Sequence, residues 1–411
     1  MKYYFLFAWR NLWRNKRRTL LATSSIFFAV ILALFMRSLQ HGSYDYMVQN
    51  SVSLYTGYLQ IQGKGYWENR SFDESFVLTD SLLHQAAHYP FVTGVNPRIE
   101  TAVLVSHGTE TKISPVTGID PKLENAMTGL KDRMTKGTYL TDSSHGVIIS
   151  DGLADRLQVG VGDSLVVFGQ GYQGVTAAEQ LKIEGIFHFP IPKLNNAMMF
   201  LALPEAQYLF NAYDRVTSLS IMTNSADHVA PIKAGLSSHL GKGLTIMTWD
   251  EMTPELVQSI EADSAGGLLM LIILYVVIGF GVFGTVMMMT IERTREFGLL
   301  ISLGMRRGRL LLVTSLETIM VSMTGAIAGM IGAFPIILYF YWNPIQLTGD
   351  MAKAMLAWGL EPIMPVSLRF SIFAAQTVVV FCIALVTSLY PLFFIRKIQP
   401  VSAVQGRGGV R

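Results

Sequence analysis

Apolar positions along this chain gather into four long runs: Leu20–Met36, Leu268–Ile291, Leu310–Phe340 and Phe370–Ile395. About 20 apolar residues are needed to cross the hydrocarbon core of a bilayer, so the pattern predicts four transmembrane helices, over 19–40, 264–291, 310–340 and 369–395. The first run is the shortest and contains Thr23, Ser24 and Ser25, but Arg18 and Arg37 bracket it. No small-x-small cleavage pattern follows, so it reads as an uncleaved signal anchor. Between the first and second runs the period shortens. Alternation or β-branched enrichment predicts strands at Tyr58–Gln62, Thr101–Ser106, Gly146–Ser150, Ser164–Phe168, Leu181–Phe187, Met198–Leu203 and Thr217–Thr223. Helical spacing predicts helices at Ser81–Tyr89, Gly152–Gln158, Pro204–Asn211 and Ala226–Leu240. The expected fold is an α-helical integral membrane protein with a large α+β extracytoplasmic (periplasmic) domain, residues 41–263, inserted between the first and second spans. That domain is expected to have two lobes, with an inserted lobe at about 114–212, and residues 341–368 form a second external loop.

Two segments flanking the spans have a pattern of their own. Near the N-terminus, Phe5, Trp9, Leu12 and Trp13 make one apolar stripe at helical spacing, with Arg10, Arg14 and Lys16 off it. This predicts an interfacial amphipathic helix over 1–18, with Arg17 and Arg18 at the headgroups. After the second span, Glu292 to Gly304 reads Glu-Arg-Thr-Arg-Glu-Phe-Gly, an apolar turn, then Leu-Gly. It predicts a short helix within 292–309, lying where membrane meets water and placed to receive force from outside the membrane. Glu292 and Glu296 are spaced to share a face, which is mildly unfavourable without a cationic partner.

Composition agrees: 51% of the 411 residues are hydrophobic and 15% charged, more apolar than a soluble protein. The net charge of +3 hides a steep asymmetry. Residues 1–18, 292–309 and 396–411 carry 15 Lys/Arg and two acids, whereas 41–263 carries 14 Lys/Arg and 24 Asp/Glu. The short basic segments place both termini and the 292–309 loop in the cytoplasm. The single cysteine, Cys382, lies in the fourth run, so the external domain folds without disulfides. No basic stripe for nucleic acid marks the soluble part.

Four blocks give a resemblance that covers nearly the whole chain in order. They are the basic amphipathic start Ala8–Lys16; Gly118-Ile119-Asp120-Pro121 with the later Gly160-Val161-Gly162-Asp163 and Leu203-Pro204-Glu205-Ala206-Gln207; Glu292–Gly304 leading to Leu316-Glu317; and the tail from Tyr390-Pro391 to Pro400–Val404. The chain resembles the FtsX/MacB superfamily of ABC transporter permeases, nearest in layout to the lipoprotein-releasing (Lol-type) permeases. The resemblance implies a dimer with the same or a homologous second permease subunit, driven by a cytoplasmic ABC ATPase dimer of the Lol type. Motion is relayed to the external domains, where a lipoprotein or periplasmic carrier is handled. It also implies that Glu292, Arg293, Arg295, Glu296, Gly298 and Gly304 form the segment that couples to the ATPase. The chain contains no Gly-x-x-x-x-Gly-Lys-Ser/Thr motif, so it is expected not to be an enzyme and to bind no cofactor itself. ATP and Mg are expected on the partner.

Within the spans, Glu317 is an intramembrane carboxylate. With Thr314 and Ser315 close in sequence, it reads as a structural hydrogen-bonding group rather than a proton relay. Gly325, Gly329 and Gly332 give the third span a small face, and Gly281 and Gly284 do so for the second. Both favour close helix packing, within the subunit or across a dimer. If the substrate is a lipoprotein taken from the outer leaflet, an apolar cavity is expected near Ile31, Phe35, Leu39, Leu269, Ile273 and Val276. Two other activities fit the same layout: efflux of a drug, peptide or toxin, and FtsX-like regulation of a cell-wall hydrolase. Elsewhere the chemistry is thin. His84 and His88 lack a third ligand, and Gly169–Gly174 reads as a hairpin tip rather than a phosphate cradle; the resemblance to Lol-type permeases offers the same loop as a hook for a periplasmic carrier.

Overall fold

A computed structural model describes Arg10 and residues 16–238, 240–241, 243–357 and 361–397. The chain forms two compact units: 1–45, 259–346 and 363–411 make the first, and 46–258 with 347–362 make the second. Phe5, Trp9, Leu12 and Trp13 lie outside the described residues. Arg17 and Arg18 fall in the first turn of the first helix.

The first unit is helical. Its long helices are α1 (Lys16–Ser51), α7 (Pro254–Glu292), α9 (Arg307–Trp342) and α11 (Phe370–Thr387), the last followed by α12 (Leu389–Lys397). Among the described residues, four helical stretches, Thr19–Thr56, Pro254–Glu292, Arg307–Trp342 and Phe370–Ile395, are long and apolar enough to cross a membrane. Ile26, Val30 and Leu34 of α1 share one core with Ile278 and Val282 of α7, Ala326, Ala333 and Ile337 of α9, and Ile372 and Val380 of α11. Phe28, Leu32, Phe280, Ile331, Phe334 and Val378 point outward instead. An apolar exterior around an apolar core suits lipid rather than water. Both α1 and α7 outrun their apolar stretches. The 36 residues of α1 rise about 54 Å at 1.5 Å per residue, well beyond a hydrocarbon core of about 30 Å. The polar sequence after Arg37 contains no proline to stop the helix.

The second unit is built on a ten-stranded sheet. Its strands are β1 (Leu59–Gly63), β3 (Val92–His107), β4 (Glu110–Ile119), β5 (Met134–Gly137), β6 (Val147–Ser150), β7 (Ser164–Gln170), β8 (Thr176–Phe187), β9 (Met199–Ala202), β11 (Ser218–Thr223) and β12 (Leu244–Thr248); β2 (Phe76–Val77) and β10 (Arg215–Val216) pair separately. Six strands close on themselves, since β3 pairs β4, β4 pairs β9, β9 pairs β6, β6 pairs β8, β8 pairs β7, and β7 returns to β3. Closure removes sheet edges. Val103, Leu165, Val167, Leu181, Ile183, Val147, Ile149, Met199 and Leu201 fill one core, while Val166 and Phe168, one residue out of phase, face outward. The β7–β8 turn at Gly171–Val175 is a hairpin tip, with Gln170 opposite Thr176. Helices α2 (Asp80–Ala87), α3 (Pro121–Thr128), α4 (Asp151–Leu157), α5 (Leu203–Leu209) and α6 (Val229–Ser237) pack around the strands, and α10 (Gly349–Ala357) lies in the separate stretch 347–362 of this unit.

The expected lobe boundary at 114 does not survive. It falls inside β4, which pairs with β3 continuously from Arg98↔Ile119 to His107↔Glu110, so one sheet runs through both expected lobes. The segment 341–368 is likewise more than a loop: Ile345–Gln346 pairs with Ile363–Met364, and α10 lies between them.

The remaining strands extend from β3 in the order β11, β1, β12. Here one face is apolar, with Leu59, Ile61, Leu219, Ile221 and Ile99, and the other is polar yet also buried. On the polar face Gln62, Ser218 and Arg98 stand in register, as do Gln60, Ser220 and Asn96. The strands adjoining the two long helices are neighbours: β1 pairs β12, and the Trp249 amide donates to the Tyr58 carbonyl at 2.9 Å.

Candidate functional site

The helix expected after the second long helix is present as α8 (Thr294–Ser302). It is separated from α7 by a break at Arg293, with φ −93° and ψ 7°. Thr294 turns its hydroxyl back to the Ile291 carbonyl at 2.6 Å, a local bond that competes with a continuous helix. Glu292 therefore ends α7 while Glu296 sits in the first turn of α8, and the single shared face expected for them is interrupted. At the other end Gly304 has φ +92°. Its amide donates to the Ile301 carbonyl and the Met305 amide to Leu300, both at 3.0 Å. This is the Schellman closure, which wants a left-handed residue where glycine carries no penalty.

Two faces of α8 do different things. Phe297 and Gly298 are buried, and Phe297 packs with Leu310 of α9, Ile395 of α12 and the flanking Ile301, Met305 and Phe394. Arg295, Glu296, Leu299, Ser302, Leu303 and Gly304 face outward. Leu303 is 77% exposed and Leu299 54%, large apolar side chains set among charges at i, i+4 spacing. Sequence reasoning passed over both leucines, although their spacing from Arg295 and Glu296 carried the signal.

Arg293 is turned inward. Its Nη1 donates to Glu317 Oε2 at 2.6 Å, its Nε donates to Glu296 Oε2 at 3.1 Å, and its guanidinium lies 5.3 Å from the centre of the Phe297 ring. Glu317 is only 3% exposed. One arginine thus ties the head of α8 to the interior of α9. The Thr314 and Thr318 hydroxyls donate to their own helix's carbonyls, and Arg293, which sequence proximity did not suggest, engages Glu317. Beside this pair is a cavity of about 20 Å³ lined by Thr290, Arg293, Thr314, Glu317, Thr318 and Ser322 among others, enough for one water molecule.

Of the glycines, those of α9 pack inside the subunit. A Cβ added at Gly325 would lie 2.9 Å from Ile26, one at Gly329 2.9 Å from the Phe27 carbonyl, and one at Gly332 3.0 Å from the Phe27 ring, all on α1. Gly281 and Gly284 on α7 meet nothing within 4 Å. The expected cavity residues are not brought together. Ile31, Phe35 and Leu39 pack on the helical core, Phe35 against Phe340 at 5.4 Å, while Leu269, Ile273 and Val276 face outward. Polar contacts hold α1 against α7 at that level: Gln40 sits where a Gly267 Cβ would be, and the Tyr44 hydroxyl donates to Asp263 Oδ2 at 2.6 Å. His84 and His88 stack 3.9 Å apart, and among the described residues no group of three metal-ligating side chains occurs.

The MacB-like periplasmic core domain family matches residues 19–238, and the FtsX-like permease C-terminal family matches residues 268–400. The chain is similar to the lipoprotein-releasing system transmembrane protein LolC of Xylella fastidiosa, 21% identical over 333 residues, covering 77% of this chain and 78% of that protein. It is also similar to LolE of Haemophilus influenzae, 18% identical over 323 residues with the same coverage. Among solved structures, the periplasmic region of MacB from Actinobacillus actinomycetemcomitans matches with 16% identity and a TM-score of 0.35, over 51% of this chain and 94% of that one. With a periplasmic core family over its first half and a permease family over the rest, the chain belongs to the FtsX/MacB family of ABC transporter permeases.

Proposed function

We propose that the chain relays the motion of a separate cytoplasmic ABC ATPase to its external domain, and that the work done there is release of lipoproteins from the outer leaflet of an inner membrane. The observation that carries the relay is α8 itself. Its outward face offers Arg295, Glu296, Leu299 and Leu303 to a partner, while Arg293 and Phe297 bind it to α9 and the bundle. A push on the exposed face therefore reaches the third span without passing through a flexible loop. In this reading both termini and α8 are cytoplasmic, residues 41–263 are external and inserted between the first two spans, and ATP and Mg are held by the partner. The chain's 411 residues contain no nucleotide-binding loop of their own. A second permease copy, identical or homologous, completes the assembly, and the open faces at Gly281 and Gly284 are suited to close helix contact with it. The lipoprotein substrate is supported by the similarity to LolC and LolE over 77% of the chain.

The test is purification from native membranes with mass spectrometry of what is retained. The reading expects an ABC ATPase and acylated protein. Leu303→Asp should leave the chain folded and weaken ATPase retention at least tenfold, about 1.4 kcal/mol. Undiminished retention in that variant would remove α8 from the docking role. Recovery of unacylated cargo alone would remove the lipoprotein assignment.

A further inference from the structure

The end of α1 is held in the second unit by a buried arginine with no role in the docking of α8. After Ser51 the helix widens into a π-helical turn, Val52–Thr56, closed by the Gly57 amide donating to the Val52 carbonyl at 2.8 Å. Such turns are rare and concentrate at functional positions. Val52 and Leu54 are buried, Leu54 in a core with Ile119, Phe187 and Phe200. The Thr56 carbonyl accepts from Gln60 Nε2 at 2.8 Å, and the Tyr55 carbonyl accepts from Arg98 Nη1.

Arg98 lies on β3 and its side chain is wholly buried. Its Nε and Nη2 reach the two oxygens of Glu124 on α3 at 2.9 and 2.7 Å, a bidentate fork. Asn96 Nδ2 donates to the same carboxylate at 2.5 Å. The carboxylate thus aims the guanidinium, and the donor left over grips the main chain of the turn. A buried ion pair is poor value as a source of stability, because desolvation offsets most of its attraction. What it supplies is direction, and here it points at the turn that joins α1 to β1.

We propose that Arg98, aimed by Glu124, is a positioning residue that fixes the π-turn at the end of α1 to the external sheet, so that displacement of α1 is delivered to β3 and its neighbours rather than lost at the junction. The proposal takes the force-relay reading as its context, but its test needs neither ATPase nor nucleotide, so either can fail alone. In the full chain carrying Cys382→Ser, nitroxides are placed at the exposed positions Gln49→Cys on α1 and Thr111→Cys on β4. A control pair within the domain uses Thr111→Cys and Asp155→Cys. Pulsed electron spin resonance should give a narrow distance distribution for both pairs in the parent. Arg98→Lys keeps the charge and loses the fork, and Glu124→Gln keeps the shape and loses the charge. Each should at least double the width for Gln49–Thr111 and leave the control pair narrow. A role limited to stability would lower the unfolding midpoint without changing the width in folded protein. An unchanged Gln49–Thr111 width in folded Arg98→Lys overturns the proposal, as does an unchanged width in Glu124→Gln should Arg98→Lys not fold.

Discussion

Two arginine–glutamate pairs hold helix ends in this protein, and they are built differently. In the membrane unit, Arg293 joins α8 to Glu317 of α9 while keeping 16% of its side chain exposed, and it shares its charge with Glu296, whose side chain is 49% exposed. In the second unit, Arg98 is sealed and bidentate to Glu124, its Nη1 also donates to a backbone carbonyl, and the buried Glu100 lies 3.7 Å away. The first pair has an alternative partner in contact with water and can be rearranged at moderate cost. The second has no solvated alternative, because the other acid near Arg98, Glu100, is itself buried. Under the proposed relay, the first joint yields where force arrives and the second holds where force is delivered.

The sharpest way to break this comparison is Arg98→Met. It leaves Glu124 buried without its cation and should cost about 3–5 kcal/mol, read as a fall in the denaturation midpoint of the external domain in the full chain. Glu317→Gln comes next. With Arg293 partly solvated and Glu296 still beside it, the loss should be about 2 kcal/mol, and amide exchange in α8 should quicken roughly thirtyfold while the external strands are unchanged. A loss equal to that of Arg98→Met would mean that the two joints are alike. Smaller still is Gly329→Ala, whose added methyl would press on the Phe27 carbonyl and should cost about 1–3 kcal/mol of helix packing. Gly284→Ala, with open space around it, should cost nothing within the subunit.

The last and smallest effect is one of pH. Burial pushes the Glu100 carboxyl above its ordinary 4.5, only partly offset by Arg98 and Arg70. A carboxyl with a raised folded-state pKa binds more protons folded than unfolded, so its contribution is most favourable below pH 4.5 and declines as pH rises through the folded value. Glu100→Gln should therefore gain stability over the parent at neutral pH and lose that advantage in acid. A gain independent of pH would show that Glu100 is not the titrating group.

Much of this was legible in the sequence because apolar period reports burial. Strands β6, β7 and β9 and helices α2, α4, α5 and α9 sit within a few residues of where alternation or helical spacing placed them, whereas α1, α7 and β8 were placed but run five to eleven residues beyond the expected bounds at one end. β4 escaped notice because Pro115 and Gly118 interrupt its alternation, although its pairing on both sides holds it in the sheet. α3 was missed despite a clear start: Asp120 caps the Lys122 and Leu123 amides and Pro121 occupies the first helical position. Along residues 292–304, residue types were readable and directions were not. Arg293 and Arg295 look equivalent in a basic cluster, yet the break at 293 turns one inward and leaves the other outside. Of Arg98's partners only Glu100, two residues along the same strand at 3.7 Å, was near in sequence, while Glu124 and the Tyr55 carbonyl that define its role lie 26 and 43 residues away.

In the proposed relay, ATPase-driven movement at α8 arrives at the external domain. The most direct measurement is the distance between the Thr111 positions of the two permease subunits in the purified, membrane-reconstituted complex, with ATP and a hydrolysis-deficient ATPase and then without nucleotide. The account predicts a nucleotide-dependent shift in that distance that is lost in Glu317→Gln while nucleotide is still bound. A distance indifferent to nucleotide in the parent, or a full shift in Glu317→Gln, would contradict it.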